Sequence, residues 1–406
     1  MFSSNPPLGL YIHLPWCAKK CPYCDFNSHE ADSIPEQDYI DALLDDLEQE
    51  LPLIWGRRIE SIFIGGGTPS LFSGEAIDRL FSGLRSLLNF APAIEITMES
   101  NPGSADMANY RDYRAAGVNR LSLGIQSFDD TRLALLGRVH NSQQAESAFR
   151  QAREAGFDNI NLDLMFGLPG QDVSAAQADL ARAIELAPEH ISHYQLTLEP
   201  NTLFHHQPPA DMPDDDQCWE QQQACQAQLA AEGYRQYEVS AYCRDKRMSR
   251  HNLNYWQFGD YLGIGAGAHG KITLAGEDRV LRRVRLRQPR AYLQKRGHDR
   301  ISSEVELTAA DLCFEFMLNA LRLREGFDSR LFHDNTGLTL NQVLPTLQQA
   351  RDRGLLDLQG EKIRPTALGY SHLNDLQALF LKLETGKNRP FFESSGEIIH
   401  NRNIRA

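Results

Sequence analysis

Six short apolar runs, each followed by an amphipathic stretch, set the strongest limit on what this chain can fold into. The runs lie at 9–14, 61–64, 94–99, 120–125, 159–165 and 191–198. They are rich in Ile, Leu, Val or Phe and closed by turn signals. Helical patterns fill the gaps at 35–51, 73–88, 105–116, 142–155 and 175–186. Strands alternating with helices in this order imply a parallel sheet with right-handed crossovers. Eight such units close a barrel. Six leave it open, so the expected class is α/β, a partial (β/α)6 barrel over residues 1–205.

Past residue 205 the texture changes to a polar, Pro-rich stretch, HHQPPADMPDDD, and a helical pattern at 216–232. Residues 206–300 read as a barrel extension, loop-rich around RHNLNYW and YLGIGAGAHGK. Residues 301–385 read as a smaller winged-helix-like C-terminal domain, with a helix at 340–353 and a two-stranded wing before a final helix. Residues 386–406 show no periodicity and read as a tail. Lys and Arg number 41 against 54 Asp and Glu, a net charge of −13. A chain this acidic is a poor binder of polyanions, so no nucleic-acid partner is expected. No apolar run reaches the ~18–20 residues that span a bilayer. The start of the chain lacks a signal-peptide pattern, and the expected location is cytoplasmic. Seven cysteines, an odd number, point to metal binding or reactive thiols rather than a disulfide framework.

Three of those cysteines, Cys17, Cys21 and Cys24, form a CxxxCxxC just after the first run. Three thiolates within eight residues can converge on one metal centre. A cubane iron–sulfur cluster normally takes four cysteines, so three leave one iron open to a small molecule. A zinc site completed by His29 is the competing reading. The spacing favours the cluster, because zinc motifs more often pair two CxxC units and no second one occurs.

The segment GLYIHLPWCAKKCPYCDFNSH closely resembles the cluster loop of radical S-adenosylmethionine (SAM) proteins, specifically those similar to oxygen-independent coproporphyrinogen III oxidase. The resemblance runs from about residue 8 to 381. It implies a [4Fe-4S] cluster on Cys17, Cys21 and Cys24, with SAM chelated to the open iron. It also implies an electron donor that reduces the cluster, so that SAM is split to methionine and a 5′-deoxyadenosyl radical. The remaining run ends carry Gly65-Gly66-Gly67-Thr68-Pro69, Glu99, Gln126 (with Arg138 twelve positions on), Asp163 and Thr197. Parallel βα folds bind ligands at the carboxyl ends of their strands, so these residues would face one cleft. By resemblance the GGGTP loop, with Gly66, Gly67 and Thr68, contacts the amino group of SAM. Glu99, Gln126, Arg138 and Asp163 match positions that hold its ribose, carboxylate and amino groups. Tyr11 and Tyr23 match aromatic positions beside the cofactor, and Thr197 is a further match.

Two departures separate the chain from the oxidase. Phe26 stands where the oxidase has a further cysteine, and Cys17 comes sooner after the start. Both match a sister group of haem chaperones, whose hallmark HNxxYW occurs here as His251-Asn252-Leu253-Asn254-Tyr255-Trp256. An imidazole is a natural axial ligand for haem iron, so His251 is the expected haem ligand. In a helix His251 and Tyr255 would share a face. The expected function is a haem chaperone with haem-accepting apoproteins as partners, and a homodimer is admitted. Oxidative decarboxylation of coproporphyrinogen III stays open as the alternative. The glycine pattern at 263–270 reads as a structural turn, and the basic run at 282–296 as a solvated face or a contact for propionates or an acidic partner.

Overall fold

The computed structural model describes residues 1–103 and 109–381. Six strands run parallel and adjacent in chain order: β1 (Leu8–Leu14), β2 (Arg58–Gly66), β3 (Asn89–Ser100), β4 (Arg120–Gln126), β5 (Ile160–Phe166) and β6 (His190–Gln195). Between them lie α1 (Glu36–Glu50), α2 (Gly74–Leu87), α3 (Tyr110–Ala116), α4 (Ser142–Glu154) and α5 (Val173–Glu185). The start of the run expected at 105–116 and the tail at 386–406 lie outside the described residues. Local chemistry fixes the helix starts. Ser73 and Asp172 accept hydrogen bonds from the third residue of α2 and α5, and Asn141 with Gln144 forms a full capping box on α4. Strands covered on both faces are buried along almost their whole length, as in β1 and β5. One apolar core unites the six strands with their helices.

The sheet is open and has 12 strands. Beyond β6 come β8 (Ala241–Cys243) and then β7 (Arg235–Gln236), both antiparallel. On the other side β9 (Asp260–Ile264) runs parallel to β1. It leads into antiparallel β10 (His269–Leu274), β11 (Arg279–Arg285) and β12 (Ile301–Glu306). The stretch expected to be loop-rich is therefore largely sheet, interrupted by the seven-residue helix α7 (Arg250–Trp256), which follows α6 (Asp215–Ala231). The glycine pattern is the β9–β10 turn, as expected. A Cβ at Gly263 would stand 1.9 Å from the His269 carbonyl oxygen.

The basic run is a solvated face only in its second half, where Arg287, Arg290, Lys295 and Arg296 are exposed. Arg283 and Arg285 are buried and paired with Glu50 and Asp46 of α1, and Arg282 pairs with Glu315. The C-terminal unit has its own core. It comprises α8 (Ala309–Ala320), α9 (Ser329–Thr336), α10 (Leu344–Asp352), α11 (Leu373–Leu381) and a sheet of order β13 (Phe327–Asp328), β15 (Lys362–Pro365), β14 (Leu356–Gln359).

Candidate functional site

An open cleft lies at the carboxyl ends of the six parallel strands, where parallel βα folds place their ligands. Its rim is built by strand ends. β1 runs into the cysteine loop, which is closed by a short parallel pairing of Trp16–Cys17 with His29–Glu30. Cys17, Cys21 and Cys24 all line the cleft. Thr68 Oγ1 donates to Cys17 Sγ at 3.5 Å, Arg138 Nη1 lies 3.6 Å from Cys21 Sγ, and Ser28 Oγ lies 3.8 Å from Cys24 Sγ. Burial pushes the Cys17 thiol up to about 11 against the pull of that Thr68 bond, and burial also raises Cys24.

The end of β2 passes close beneath this loop. Gly66 sits at φ +119°, and a Cβ there would meet the His13 ring at 2.6 Å. A Cβ at Gly67 would meet the Trp16 carbonyl oxygen at 2.4 Å. These glycines therefore admit the cysteine loop as well as exposing backbone to a ligand. The Gly66 N–H donates to Glu99 Oε2 at 3.1 Å. Asn101, just past Glu99, donates to Thr68 Oγ1 at 2.9 Å and accepts from Arg138 Nη2 at 2.7 Å. The same Arg138 atom also donates to the Gly124 carbonyl at 2.7 Å.

Gln126 occupies a left-handed conformation, φ +70°, where the β4–β5 register slips. An L-residue adopts this at a cost of about 1–2 kcal/mol, and such strain gathers at functional sites. Tyr194 from β6 donates to its Oε1 at 2.5 Å. Asp163 of β5 accepts from Ser122 at 2.9 Å and from Asn161 at 3.0 Å.

The structure thus gathers Cys17, Cys21, Cys24, Tyr23, Gly66, Gly67, Thr68, Glu99, Gln126, Arg138 and Asp163 round one cleft. Tyr11 and Thr197 are not among the cleft-lining residues. The Tyr11 hydroxyl instead meets His13 Nδ1 at 3.0 Å. Sequence reasoning missed Asn101 and Tyr194, both at strand ends and open to the same argument as their neighbours. The floor is made by Asn252 and Trp256 of the HNxxYW motif together with Glu238, Ser240 and Arg322, and these last three sequence reasoning missed.

That floor is where α7 lies. Ser249 caps it by accepting from the Asn252 N–H. His251 and Tyr255 share one face, as expected, and Asn252 and Trp256 share the next. Only the second face lines the cleft. His251 is 0 % exposed, packed on Phe63 and on Gly9 at the start of β1. Its Nδ1 meets Ser61 Oγ at 2.9 Å, and its Nε2 meets the Tyr255 hydroxyl at 3.1 Å. Burial, with the nearby Arg120 charge, lowers its pKa to about 3. Both ring nitrogens are thus engaged, and His251 is not among the cleft-lining residues.

Comparison with known proteins fits this geometry. Residues 11–183 match the family model described as the Radical SAM superfamily, and residues 307–372 match the HemN C-terminal domain. The solved coproporphyrinogen III oxidase HemN of Escherichia coli, a radical SAM enzyme, superposes with a TM-score of 0.78 at 26% identity. That match covers 93% of this chain and 90% of HemN. Heme chaperone HemW of Escherichia coli (strain K12) is 47% identical over 93% of this chain and 98% of its own length. The chain belongs to the HemW family. Heme chaperone HemW of Haemophilus influenzae is similar at 46% identity over 93% of this chain and 99% of its own length.

The residues present suit the HemW family's radical SAM cofactors. Among the described residues no group of three His, Cys, Asp or Glu closes round a single ion. A cubane asks for something else, since each thiolate takes its own iron and the sulfurs stand further apart. Arg138 Nε is buried without a hydrogen-bond partner, a donor still open to an anionic ligand beside the cysteine loop. No helix among the described residues is long and apolar enough to cross a membrane.

Proposed function

We propose that this chain binds haem and passes it to haem-requiring proteins, carrying a [4Fe-4S] cluster on Cys17, Cys21 and Cys24 with SAM at the adjoining strand ends. The observation that carries this reading is the 47% identity to a heme chaperone along nearly the full length of both chains. When bound, the reduced cluster supplies one electron to the sulfonium of SAM. The chain's own residues orient the nucleotide. The Glu99 carboxylate fixes the Gly66 turn, Arg138 bridges Asn101 to the cysteine loop, and Tyr194 holds Gln126 in its strained conformation.

His251 serves as the haem-iron ligand in this reading. Ligating iron would cost the ring its contact with Ser61 or with Tyr255, each worth about 1 kcal/mol. The working location in this reading is the cytoplasm, where haem-accepting proteins and an electron donor would be met.

Haemin titration under strict anaerobiosis tests the reading. The wild type should develop a saturable visible band, and His251→Ala should lose or shift it. Incubation with coproporphyrinogen III, reductant and SAM should release no carbon dioxide. Clear decarboxylation would establish the oxidase activity instead, and an unchanged band in His251→Ala would remove His251 from the haem site.

A further inference from the structure

The floor of the cleft holds three buried polar atoms without hydrogen-bond partners: Asn252 Oδ1, Trp256 Nε1 and Arg322 Nε. Unpaired buried donors are rare and call for an explanation, because each forfeits its hydration without compensation. Two of the three are donors on side chains more than nine-tenths buried, Trp256 at 2 % and Arg322 at 7 % exposure. The Arg322 guanidinium stacks over the Trp256 indole, 4.2 Å from the ring centroid. The two donors therefore belong to one rigid pair. Arg322 arrives from the C-terminal unit, just past α8, with its carbonyl held by the Tyr370 hydroxyl at 3.1 Å.

Among the described residues its ion pair is with Glu238. Arg322 Nη2 reaches Glu238 Oε2 at 3.3 Å, a long contact for an ion pair buried on both sides. A carboxylate accepts naturally from a guanidinium and an indole N–H together. Glu238 competes for the same guanidinium. Burial pushes its carboxyl up against the pull of Arg322.

We propose that Arg322 and Trp256 form a carboxylate-binding subsite at the cleft floor, which receives a propionate of haem. This rests on the haem-binding reading above and adds which end of the ligand points down. A haem seated so has its edge anchored by a residue of the C-terminal unit, while its face lies along α7. The same chemistry is carried by the carboxylate of SAM, so the test must separate the two sources.

Haemin and haemin dimethyl ester, which lacks free propionates, are titrated into the full-length protein, the wild type beside Arg322→Gln and Glu238→Gln. The wild type should prefer haemin over the diester. Arg322→Gln should weaken haemin by about tenfold or more, the scale of one charge-assisted bond, and leave the diester unchanged. Glu238→Gln frees the guanidinium and should tighten haemin but not the diester. A purely structural ion pair would give two variants that lose both ligands alike. Equal affinity of the wild type for haemin and diester would overturn the subsite while leaving haem binding intact. Failure of the wild type to bind either would sink the haem reading and the subsite with it. SAM affinity is measured in parallel, and a loss confined to SAM in Arg322→Gln would assign the floor to SAM and overturn the proposal.

Discussion

His251 shows how far one side chain can be read in two ways. Its ring supports the floor from below, and its neutral form is part of the fold. An unfolded histidine takes up a proton near pH 6.5, whereas the folded ring resists until about pH 3. As pH falls the unfolded chain therefore gains protons first. The stability contributed by neutral His251 is whole above pH 6.5 and is lost progressively on acidification towards pH 3. The full window corresponds to a contribution on the order of 5 kcal/mol. His13 and His193, each lowered by burial to about 4, act in the same direction. Denaturant melts of the apoprotein between pH 7.5 and pH 4.5 should show falling stability, with a shallower slope in His251→Gln. Parallel slopes would show that the ring is not held neutral.

The strands that carry the rim could be read because buried parallel strands are near-continuous apolar runs. The four-strand extension from β9 to β12 could not. Its strands are marked by glycines and arginines, as in GIGAGAHGK and RVLRRVR, and the α1 carboxylates that pair with Arg283 and Arg285 lie more than two hundred residues away. The rim of the site was legible for a related reason, since each strand end places its motif without long-range help. The floor was legible only in part: Asn252 and Trp256 stand in the HNxxYW motif, but Glu238 and Arg322 carry no motif and meet only in three dimensions.

One buried polar chain joins rim to floor. Asp163 meets Asn161, Asn161 Oδ1 meets His190 Nδ1 at 2.6 Å, and His190 Nε2 meets the Tyr237 hydroxyl at 2.9 Å. That hydroxyl accepts from the N–H of Ser249, the cap of α7, at 3.3 Å. Tyr237→Phe leaves His190 and the Ser249 N–H without this partner while keeping the ring's packing, and should cost about 1–3 kcal/mol. Hydrogen exchange should show faster exchange in α7 than in α1. A loss spread evenly over both helices would argue that Tyr237 supports the barrel generally rather than this element.

At the scale of the whole molecule the extension must be fastened to the barrel, since the cleft is bounded by both. Asp260, at the first position of β9, is the fastening point, and it is wholly buried. It accepts from Lys271 Nζ at 2.9 Å and from the Thr273 N–H and hydroxyl at 2.9 and 2.8 Å. Arg57 Nη1, at the approach to β2, lies 2.9 Å from its other side. One carboxylate thus neutralises two cations, one on β10 and one at the barrel's edge. Such a group adds little over an apolar core when intact, because desolvation offsets the Coulomb attraction. Removing it alone is another matter, for it leaves Lys271 charged and buried or forces it to lose its proton. Asp260→Asn keeps the shape and should lower stability by about 3–5 kcal/mol, read as a shift of the urea midpoint. Adding Lys271→Met removes the stranded charge and should recover part of that loss. A single-variant loss below about 1 kcal/mol would mean that water reaches this junction and that the extension is held mainly by the Asp46–Glu50–Arg285 contacts on the far face of α1.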